Sequence, residues 1–302
     1  MTLSICIPIY NNNVSSLIQE LSVQTSQLSC NYEIILMDDG SQCHKPENSQ
    51  LTNLPNVQYI ELSSNIGRSA IRNKLADTAQ YDFLLFMDCD TLPTSTHFIH
   101  NYIEAAESSE ADVIIGGYHY KKEKPANEYL LRWTYGLNRE EKSAAERNQH
   151  PFRSFSTFNF MIKKEVFNHV RFDESLKEYG HEDTLFGWDM KRHQFKFLHI
   201  DNPATHLAYE KTDDFLEKTK SSLKNLWIIY QKNNDKKDLL QDIKVLRYQS
   251  FLQKSYLLRP ISYLLSHLEK YFIRNLSSEN PQMFIFDLYK LNVLCKVSLE
   301  KK

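Results

Sequence analysis

Short apolar runs alternate with segments of helical spacing along the first 120 residues. Each run is five to eight residues long, which is typical of a strand and too short for most helices. The segments between the runs place apolar residues on one helical face, as Val14, Leu17, Ile18 and Leu21 do. This alternation predicts βαβ units and a mainly parallel sheet. The predicted strands cover residues 3–10, 33–37, 57–62, 83–87 and 113–117.

Polar residues follow three of these predicted strands, in the sequences Tyr10-Asn11-Asn12-Asn13, Asp38-Asp39-Gly40-Ser41 and Asp88-Cys89-Asp90. Right-handed crossovers bring the carboxyl ends of parallel strands to one edge, where open α/β sheets bind their ligands. Residues two apart in a strand point to the same side, so Asp88 and Asp90 can converge. Two such carboxylates favour a divalent cation shared with a substrate phosphate. An ordinary Asp-rich turn is the alternative.

The second half of the chain is less regular. Residues 120–150 are polar and charged, which predicts a long excursion and a candidate lid. Residues 152–162 alternate aromatic and polar side chains, as expected for an antiparallel strand that lines a pocket or simply packs in the core. Glu182 and Asp183 begin a predicted helix to residue 192, and residues 195–200 form a predicted strand. His206 follows, as a metal ligand or as a core histidine.

Three further helices are predicted after residue 210, and residues 242–302 contain ten Lys or Arg against five Asp or Glu. A basic bias with aromatic stripes is typical of a surface that rests on an anionic membrane. Packing between helices and dimerisation explain the same stripes. The sequence leaves these alternatives open.

Composition limits the kinds of partner and the cellular compartment that we expect. A formal charge of −2 gives no sign of nucleic-acid binding. The five cysteines are scattered, with neither a zinc spacing nor a disulfide framework. The sequence shows no signal peptide and no apolar run long enough to span a membrane. We therefore expect a reduced, cytoplasmic protein, with the inner face of the membrane as a peripheral location.

No G-x-G-x-x-G or Walker A loop follows the first strand, which excludes a glycine cradle for phosphates. Six short motifs instead resemble, in order and spacing, family 2 glycosyltransferases of the GT-A fold. The motifs are Pro8-Ile9-Tyr10-Asn11, Asp38-Asp39-Gly40-Ser41, Asn65-Ile66-Gly67 with Ala70, Arg72 and Asn73, Asp88-Cys89-Asp90, Phe172-Asp173-Glu174 and Gly180-His181-Glu182-Asp183. The last two also resemble the acceptor-side segment of the galactosyl- and N-acetylgalactosaminyltransferase subgroup.

The resemblance implies an α/β fold with a mainly parallel central sheet flanked by helices. It covers roughly residues 1–210, which divide into a nucleotide-sugar half (1–118) and an acceptor half (119–210). A helical C-terminal extension (211–302) follows.

The resemblance also implies roles for individual residues. The donor nucleotide sugar would contact Pro8, Ile9, Tyr10, Asp39, Asn65, Gly67, Arg72 and Asp88, with Asp39 accepting from N3–H of uracil. Asp90, Asp88 and His206 would hold Mn²⁺ or Mg²⁺, with Asp88 contacting the ribose and a metal-bound water. Asp183 would be the catalytic base, helped by Glu182. The acceptor would contact Asn159, Gly180, His181 and Glu182.

These roles imply an inverting transferase that moves a sugar, UDP-linked in our assignment, to a hydroxyl of a glycan or lipid-linked glycan. A sugar-phosphate nucleotidyltransferase is one alternative, although it normally has a Gly-rich loop with Arg and Lys where Asn11-Asn12-Asn13 stands. A carbohydrate-binding module that kept the fold and lost the chemistry is the other.

Overall fold

The computed structural model describes residues 1–176, 179–233 and 236–300. These residues group into two compact units. The first unit takes the described residues within 1–121, 140–177 and 182–208, and the second takes those within 122–139, 178–181 and 209–302.

The first unit contains two sheets. Its strands are β1 (Leu3–Ile9), β2 (Tyr32–Asp38), β3 (Val57–Glu61), β4 (Phe83–Met87), β5 (Thr91–Pro93), β6 (Val113–Ile115), β7 (Tyr118–His119), β8 (Asn159–Lys163), β9 (Phe197–His199) and β10 (Ala204–His206). The large sheet has the order β3-β2-β1-β4-β8-β6-β9, and the small one β5-β10-β7. β8 is antiparallel to both of its neighbours, and the other pairs of the large sheet are parallel.

The helices lie between and after the strands. In chain order they are α1 (Ser15–Thr25), α2 (Lys45–Ser49), α3 (Arg68–Thr78), α4 (Phe98–Ser108), α5 (Leu130–Tyr135), α6 (Ala144–Asn148), α7 (Lys164–His169), α8 (Glu182–Arg192), α9 (Thr212–Lys232), α10 (Lys236–Asp242), α11 (Lys244–Lys254), α12 (Leu258–Leu276) and α13 (Met283–Leu299). Shorter turns are the 3₁₀ segments Gln50–Asn53 and Asn127–Tyr129 and the π-helical segment Gly136–Glu140.

The inner strands of the large sheet are buried on both faces, which explains why β1, β2, β4 and β6 are almost continuously apolar. Leu85 and Met87 of β4 belong to the core on one face, together with residues of α1 and α4. Leu84 and Phe86 belong to the core on the other face, together with residues of α3, α7 and α8. Phe86 stacks on Phe160 of β8 with ring centroids 5.1 Å apart. The opposite faces of β4 thus anchor the strand that carries Asp88 at its end.

The predicted fold class is confirmed, as are the five early strands and the helix that begins at Glu182. The strand predicted over 152–162 is too long, because only Asn159–Lys163 pairs in the sheet. Phe152 and Phe155 instead pack their rings against Phe197. Aromatic burial in a turn therefore produced the same alternating pattern as a strand.

The second unit consists of helices. Its segment 122–139 lies inside the predicted acceptor half, yet it groups with the helices after residue 208. Tyr135 explains this grouping, since its ring contacts those of Phe215 and Phe286 at centroid distances of 5.5 Å. Arg132 also donates to the carboxylate of Glu210 at 3.1 Å. The sequence predicted helices corresponding to α9, α12 and α13 and missed α10 and α11.

In the described ranges, every helix is either too short or too polar to cross a bilayer. The five cysteines are free thiols.

Candidate active site

The carboxyl ends of β1, β2 and β4 share one edge of the large sheet, because these strands are parallel. β1 leads into Tyr10, which is half exposed, whereas Ile9 is buried and Pro8 is partly exposed. The ladder between β1 and β4 ends at Cys6, before Pro8 would have to donate a hydrogen bond. After β1, Asn11 has left-handed backbone and donates its N–H to Oγ of Ser41 at 2.8 Å.

Asp39 joins the loop after β2 to the start of α3. Its two carboxylate oxygens accept the backbone N–H groups of Ile66 at 2.7 Å and Gly67 at 3.1 Å. Burial raises the pKa of Asp39, and these two N–H groups oppose the rise. Gly40 (φ +72°) allows the close approach, since a Cβ there would lie 2.8 Å from the backbone nitrogen of Asn65. Asn65 itself is exposed.

Arg72 of α3 links the end of β4 to the start of α8. Only 3% of the residue is exposed, and its Nη2 donates to Oδ1 of Asp88 at 2.7 Å. Its Nη1 lies 3.9 Å from Oε1 of Glu182, and Nη1 of Arg68 lies 3.8 Å from the same oxygen. Burial raises the pKa of Asp88, while the charge of Arg72 opposes the rise. One guanidinium group therefore neutralises acids from two elements that are far apart in sequence.

Asp90 and His206 meet through the small sheet. β5 and β10 are antiparallel, and their register pairs Thr91 with His206. Leu207 then donates its N–H to the carbonyl of Asp90 at 2.9 Å. As a result, Nε2 of His206 lies 3.5 Å from Oδ2 of Asp90. Two groups that can both ligate a metal ion thus face each other across 115 residues of chain.

The residues present fit a divalent ion that takes only some of its ligands from the protein. In the described segments, no three His, Cys, Asp or Glu side chains converge in a way that could hold a metal. Asp90 and His206 face each other, whereas Asp88 turns its carboxylate to Arg72. The predicted set of three ligands therefore becomes a facing pair with Asp88 beside it. Such a pair suits an ion whose other ligands are substrate phosphates and waters.

Aromatic rings fix the imidazole of His206. The ring stacks on Tyr120 at 5.6 Å and on Phe158 at 5.5 Å, both nearly parallel to it. Phe158 stacks in turn on Tyr118 at 4.1 Å. The hydroxyl of Tyr120 donates to the carboxylate of Glu140. His206 consequently has little freedom to rotate away from Asp90.

Tyr118, Tyr120 and Glu140 were not among the residues predicted from the sequence. The signal for the two tyrosines is their spacing of two residues, which is the period of a strand, shortly after β6. Nothing in the local sequence connects Glu140 to them.

Asp183 lies in the first turn of α8, next to Glu182. Its Oδ1 accepts the backbone N–H of Thr184 at 2.6 Å. Burial, reinforced by the charge of Glu182, raises the pKa of Asp183 to about 6. A carboxylate with a pKa near neutrality is suited to accept a proton during a reaction. The structure therefore gives Asp183 an environment in keeping with the predicted base.

Asn159 is buried and hydrogen-bonded within the protein. It is 1% exposed, its Oδ1 accepts from the hydroxyl of Tyr102 at 2.6 Å, and its Nδ2 donates to the carbonyl of Gly117 at 2.6 Å. These bonds hold the first residue of β8 in place. Burial and hydrogen bonding account for Asn159 within the fold, and its predicted contact with the acceptor stays a prediction.

Gly180 and His181 belong to the second unit. Both have positive φ, of 92° and 67°. A Cβ on Gly180 would lie 2.6 Å from Oγ of Ser222, and its carbonyl accepts from Nδ2 of Asn225 at 3.1 Å. Close packing on α9 thus accounts for the glycine, and the predicted acceptor contacts of these two residues stay a prediction.

Comparison with known proteins identifies the family. The model of "Glycosyl transferase family 2" matches residues 4–171, more than half of the chain. The chain belongs to glycosyl transferase family 2. One relative is the hyaluronan synthase of Pasteurella multocida, which is 28% identical over 201 residues; the match covers 56% of this chain and 21% of the synthase. The chain spans less than two thirds of each curated relative that it matches.

Solved structures show the same fold. Residues 1–349 of S. aureus TarS in complex with UDP match with a TM-score of 0.55 and 17% identity, covering 98% of this chain and 90% of TarS. The mannosyltransferase PcManGT of Pyrobaculum calidifontis, in complex with GDP-Man and Mn²⁺, matches with a TM-score of 0.62 and 10% identity, covering 100% and 88%. At these identities, the likeness concerns the fold, and it supports the predicted GT-A class.

Proposed function

We propose that the chain is an inverting, metal-dependent glycosyltransferase. It transfers a sugar from a nucleotide sugar, UDP-linked in our assignment, to a hydroxyl of a glycan or lipid-linked glycan. The observation that carries the proposal is the position of Arg72 between Asp88 and Glu182. Through it, the Asp88-Cys89-Asp90 segment and the start of α8, with Asp183, belong to one charged cluster. Membership of glycosyl transferase family 2 supports the same reaction.

The loop around Asp39 is the proposed site for the base. Each oxygen of its carboxylate accepts one backbone N–H, so each keeps a lone pair for a further donor. The N3–H of uracil is such a donor. Half-exposed Tyr10 offers a ring surface at the same edge of the sheet. The structural neighbour TarS in complex with UDP supports a uridine nucleotide as the donor. The complex of PcManGT with GDP-Man makes a guanosine nucleotide the alternative to test.

Asp90 and His206 are the residues proposed to hold Mn²⁺ or Mg²⁺. A bound divalent ion would stabilise the negative charge that develops on the departing nucleoside diphosphate. Asp88 lies beside this pair and accepts a hydrogen bond from Arg72; it would contact the ribose and a metal-bound water. The ring stack on His206 keeps the imidazole in position.

Asp183 is the proposed base that removes the proton of the acceptor hydroxyl as the new bond forms. A single carboxylate on the face opposite the leaving group gives one displacement and therefore inversion at the anomeric carbon. Glu182, neutralised by Arg68 and Arg72, would help to hold the acceptor.

A nucleotide screen tests the donor assignment. The full chain is titrated by calorimetry with UDP and GDP, each with and without Mn²⁺. We expect UDP to bind more tightly and to require Mn²⁺, and Asp90→Ala to abolish the metal requirement together with most of the affinity. Asp77→Ala, which removes an exposed carboxylate of α3, is the matched control. Equal affinity of wild type and Asp90→Ala for UDP would remove Asp90 from the metal site.

A transfer assay separates the enzyme classes. Incubation with UDP-sugars and glycan acceptors should release UDP, and NMR should show the opposite anomeric configuration in the product. A sugar-phosphate nucleotidyltransferase would release pyrophosphate from UTP and a sugar phosphate. A carbohydrate-binding module would bind glycans and release neither.

A further inference from the structure

Helix α12 carries apolar residues on two opposite faces. Leu258, Leu265, Phe272 and Leu276 are buried, and α12 packs against α13. On the other side, large apolar side chains are exposed at Tyr263, Leu264, Leu268 and Tyr271. A surface helix of a globular protein normally presents polar residues on its outer face. The outer face of α12 therefore needs an explanation that core packing does not provide.

Helix α11 and the turn before α12 extend this surface. Tyr248 and Phe251 are exposed on α11, and Leu257 and Tyr256 are exposed in the turn, where Tyr256 reaches 92% exposure. In the described part of the chain, sixteen large hydrophobic residues are exposed, and nine of them lie within residues 248–273. Single exposed apolar residues are ordinary, whereas a concentration of them marks an interaction surface.

The charges beside these residues are mostly positive. Residues 243–278 contain six Lys or Arg and a single acid, Glu269, whose carboxylate is bonded to Lys296. Arg259 and Lys270 lie four residues before and seven residues after Tyr263, and so on the same side of α12. Both are exposed. We call the exposed apolar and basic residues of α11, the turn and α12 the basic aromatic face.

We propose that the basic aromatic face binds the surface of a bilayer that contains anionic phospholipids. Tyrosine rings suit the boundary between headgroups and acyl chains, where one end of the ring is wet and the other is apolar. Lysine and arginine side chains beside them pair with anionic headgroups. An amphipathic helix with this composition lies in the plane of the interface. A second copy of the chain is a poorer occupant, since a two-fold contact would bring the same six cations together.

Vesicle flotation of the full chain tests the proposal. Vesicles of phosphatidylcholine with one quarter phosphatidylglycerol are compared with vesicles of phosphatidylcholine alone, at low and at 0.5 M salt. We expect the protein to float with the anionic vesicles at low salt only. Failure to float with them, or equal flotation with neutral vesicles, would overturn the proposal.

Paired variants locate the surface. Arg259→Gln with Lys270→Gln should weaken partitioning about 30-fold, at roughly fivefold for each charge near the membrane. Lys74→Gln with Lys122→Gln removes two exposed charges elsewhere and should change nothing; an equal loss would refute the assignment of the face.

Tyr263 and Tyr271 test the apolar part. Substituting both by Ser should weaken partitioning at least about tenfold, whereas both Phe substitutions should keep it. Circular dichroism checks that each variant is folded. Analytical sedimentation tests the alternative occupant, a second copy of the chain. If the full chain is a dimer and the double Ser variant is a monomer, the face is a dimer interface and the membrane proposal is wrong.

Discussion

Arg72 donates a 2.7 Å hydrogen bond from Nη2 to Oδ1 of Asp88, and its Nη1 lies 3.9 Å from Oε1 of Glu182. The guanidinium is buried, so both attractions act where water screens them little. This single cation connects the strand end that carries the proposed leaving-group contacts with the helix start that carries the proposed base. Loss of Arg72 should therefore cost more stability than the loss of one hydrogen bond.

Arg72→Met should destabilise the fold by about 3 kcal/mol, because it leaves two acids without their buried cation. Urea unfolding at pH 7 measures the change. Arg171→Met is the matched control: Arg171 makes an ion pair of the same length, 2.7 Å, with Asp77, but the two side chains are 31% and 62% exposed. Its removal should cost at most about 1 kcal/mol. If the two variants lose similar amounts of unfolding free energy, the burial of Arg72 adds nothing to the stability of the fold.

Asp183→Asn should slow transfer by roughly 10²-fold or more and leave UDP affinity unchanged, since the base acts on the acceptor hydroxyl. Initial rates with saturating donor measure the first quantity, and calorimetry the second. Asp189→Asn on the same helix is the control, because Asp189 also has a pKa raised by burial but pairs with Arg192. A variant Asp183→Asn with near-normal turnover would exclude Asp183 as the base.

The transfer rate of the wild type should rise with pH through about 6 and level off above it. Burial and the neighbouring Glu182 raise the pKa of Asp183 to that value, and only the ionised carboxylate can accept a proton. A pH series of initial rates at fixed Mn²⁺ measures the profile. A rate that is flat between pH 5 and 8 would disagree with this assignment.

Asp183 should also cost stability at neutral pH. Its pKa is higher in the folded chain than the ordinary 3.8, so folding favours the protonated form. The free energy of unfolding contributed by this group should fall as pH rises from about 4 to about 6. Asp183→Asn should therefore be more stable than the wild type at pH 8, by on the order of 1–2 kcal/mol, and the advantage should vanish near pH 4. Urea unfolding at both pH values checks the sign.

Tyr120→Leu should weaken Mn²⁺ binding about tenfold, because the ring no longer orients His206. Tyr120→Phe keeps the stack and loses the hydroxyl with its bond to Glu140, so its effect on the metal should be severalfold smaller. Isothermal titration of Mn²⁺ in the presence of UDP compares the two folded variants. Equal losses would assign the effect to the hydroxyl and not to the ring.

The sequence predicted the parts of the site that depend on local rules. Asp39 and Asp88 were expected at one edge because polar residues end apolar runs and parallel strands align their carboxyl ends. The start of α8 at Glu182 followed from acids before an amphipathic segment. These features require only the neighbours of each residue in the chain.

The parts that could not be predicted depend on pairing between distant segments. The contact of Asp90 with His206 follows from the register of β5 with β10, which no local pattern specifies. The same holds for the burial of Asn159, whose amide is bonded to Tyr102 and Gly117. Helix α10 was missed because it has only seven residues. Helix α11 was missed as well, although it is as long as α8.

The position of β8 has a consequence for biosynthesis. It lies between β4 and β6, although both of those strands are translated before it. A nascent chain that ends at Ile115 therefore has an open edge on β4 and on β6, and unpaired edges promote association between chains. The strand that closes both edges ends 76 residues after β4, or roughly 4–15 s later during translation. We expect the nucleotide-sugar half to complete its fold only after residue 163 has emerged from the ribosome, and to aggregate when it is expressed alone.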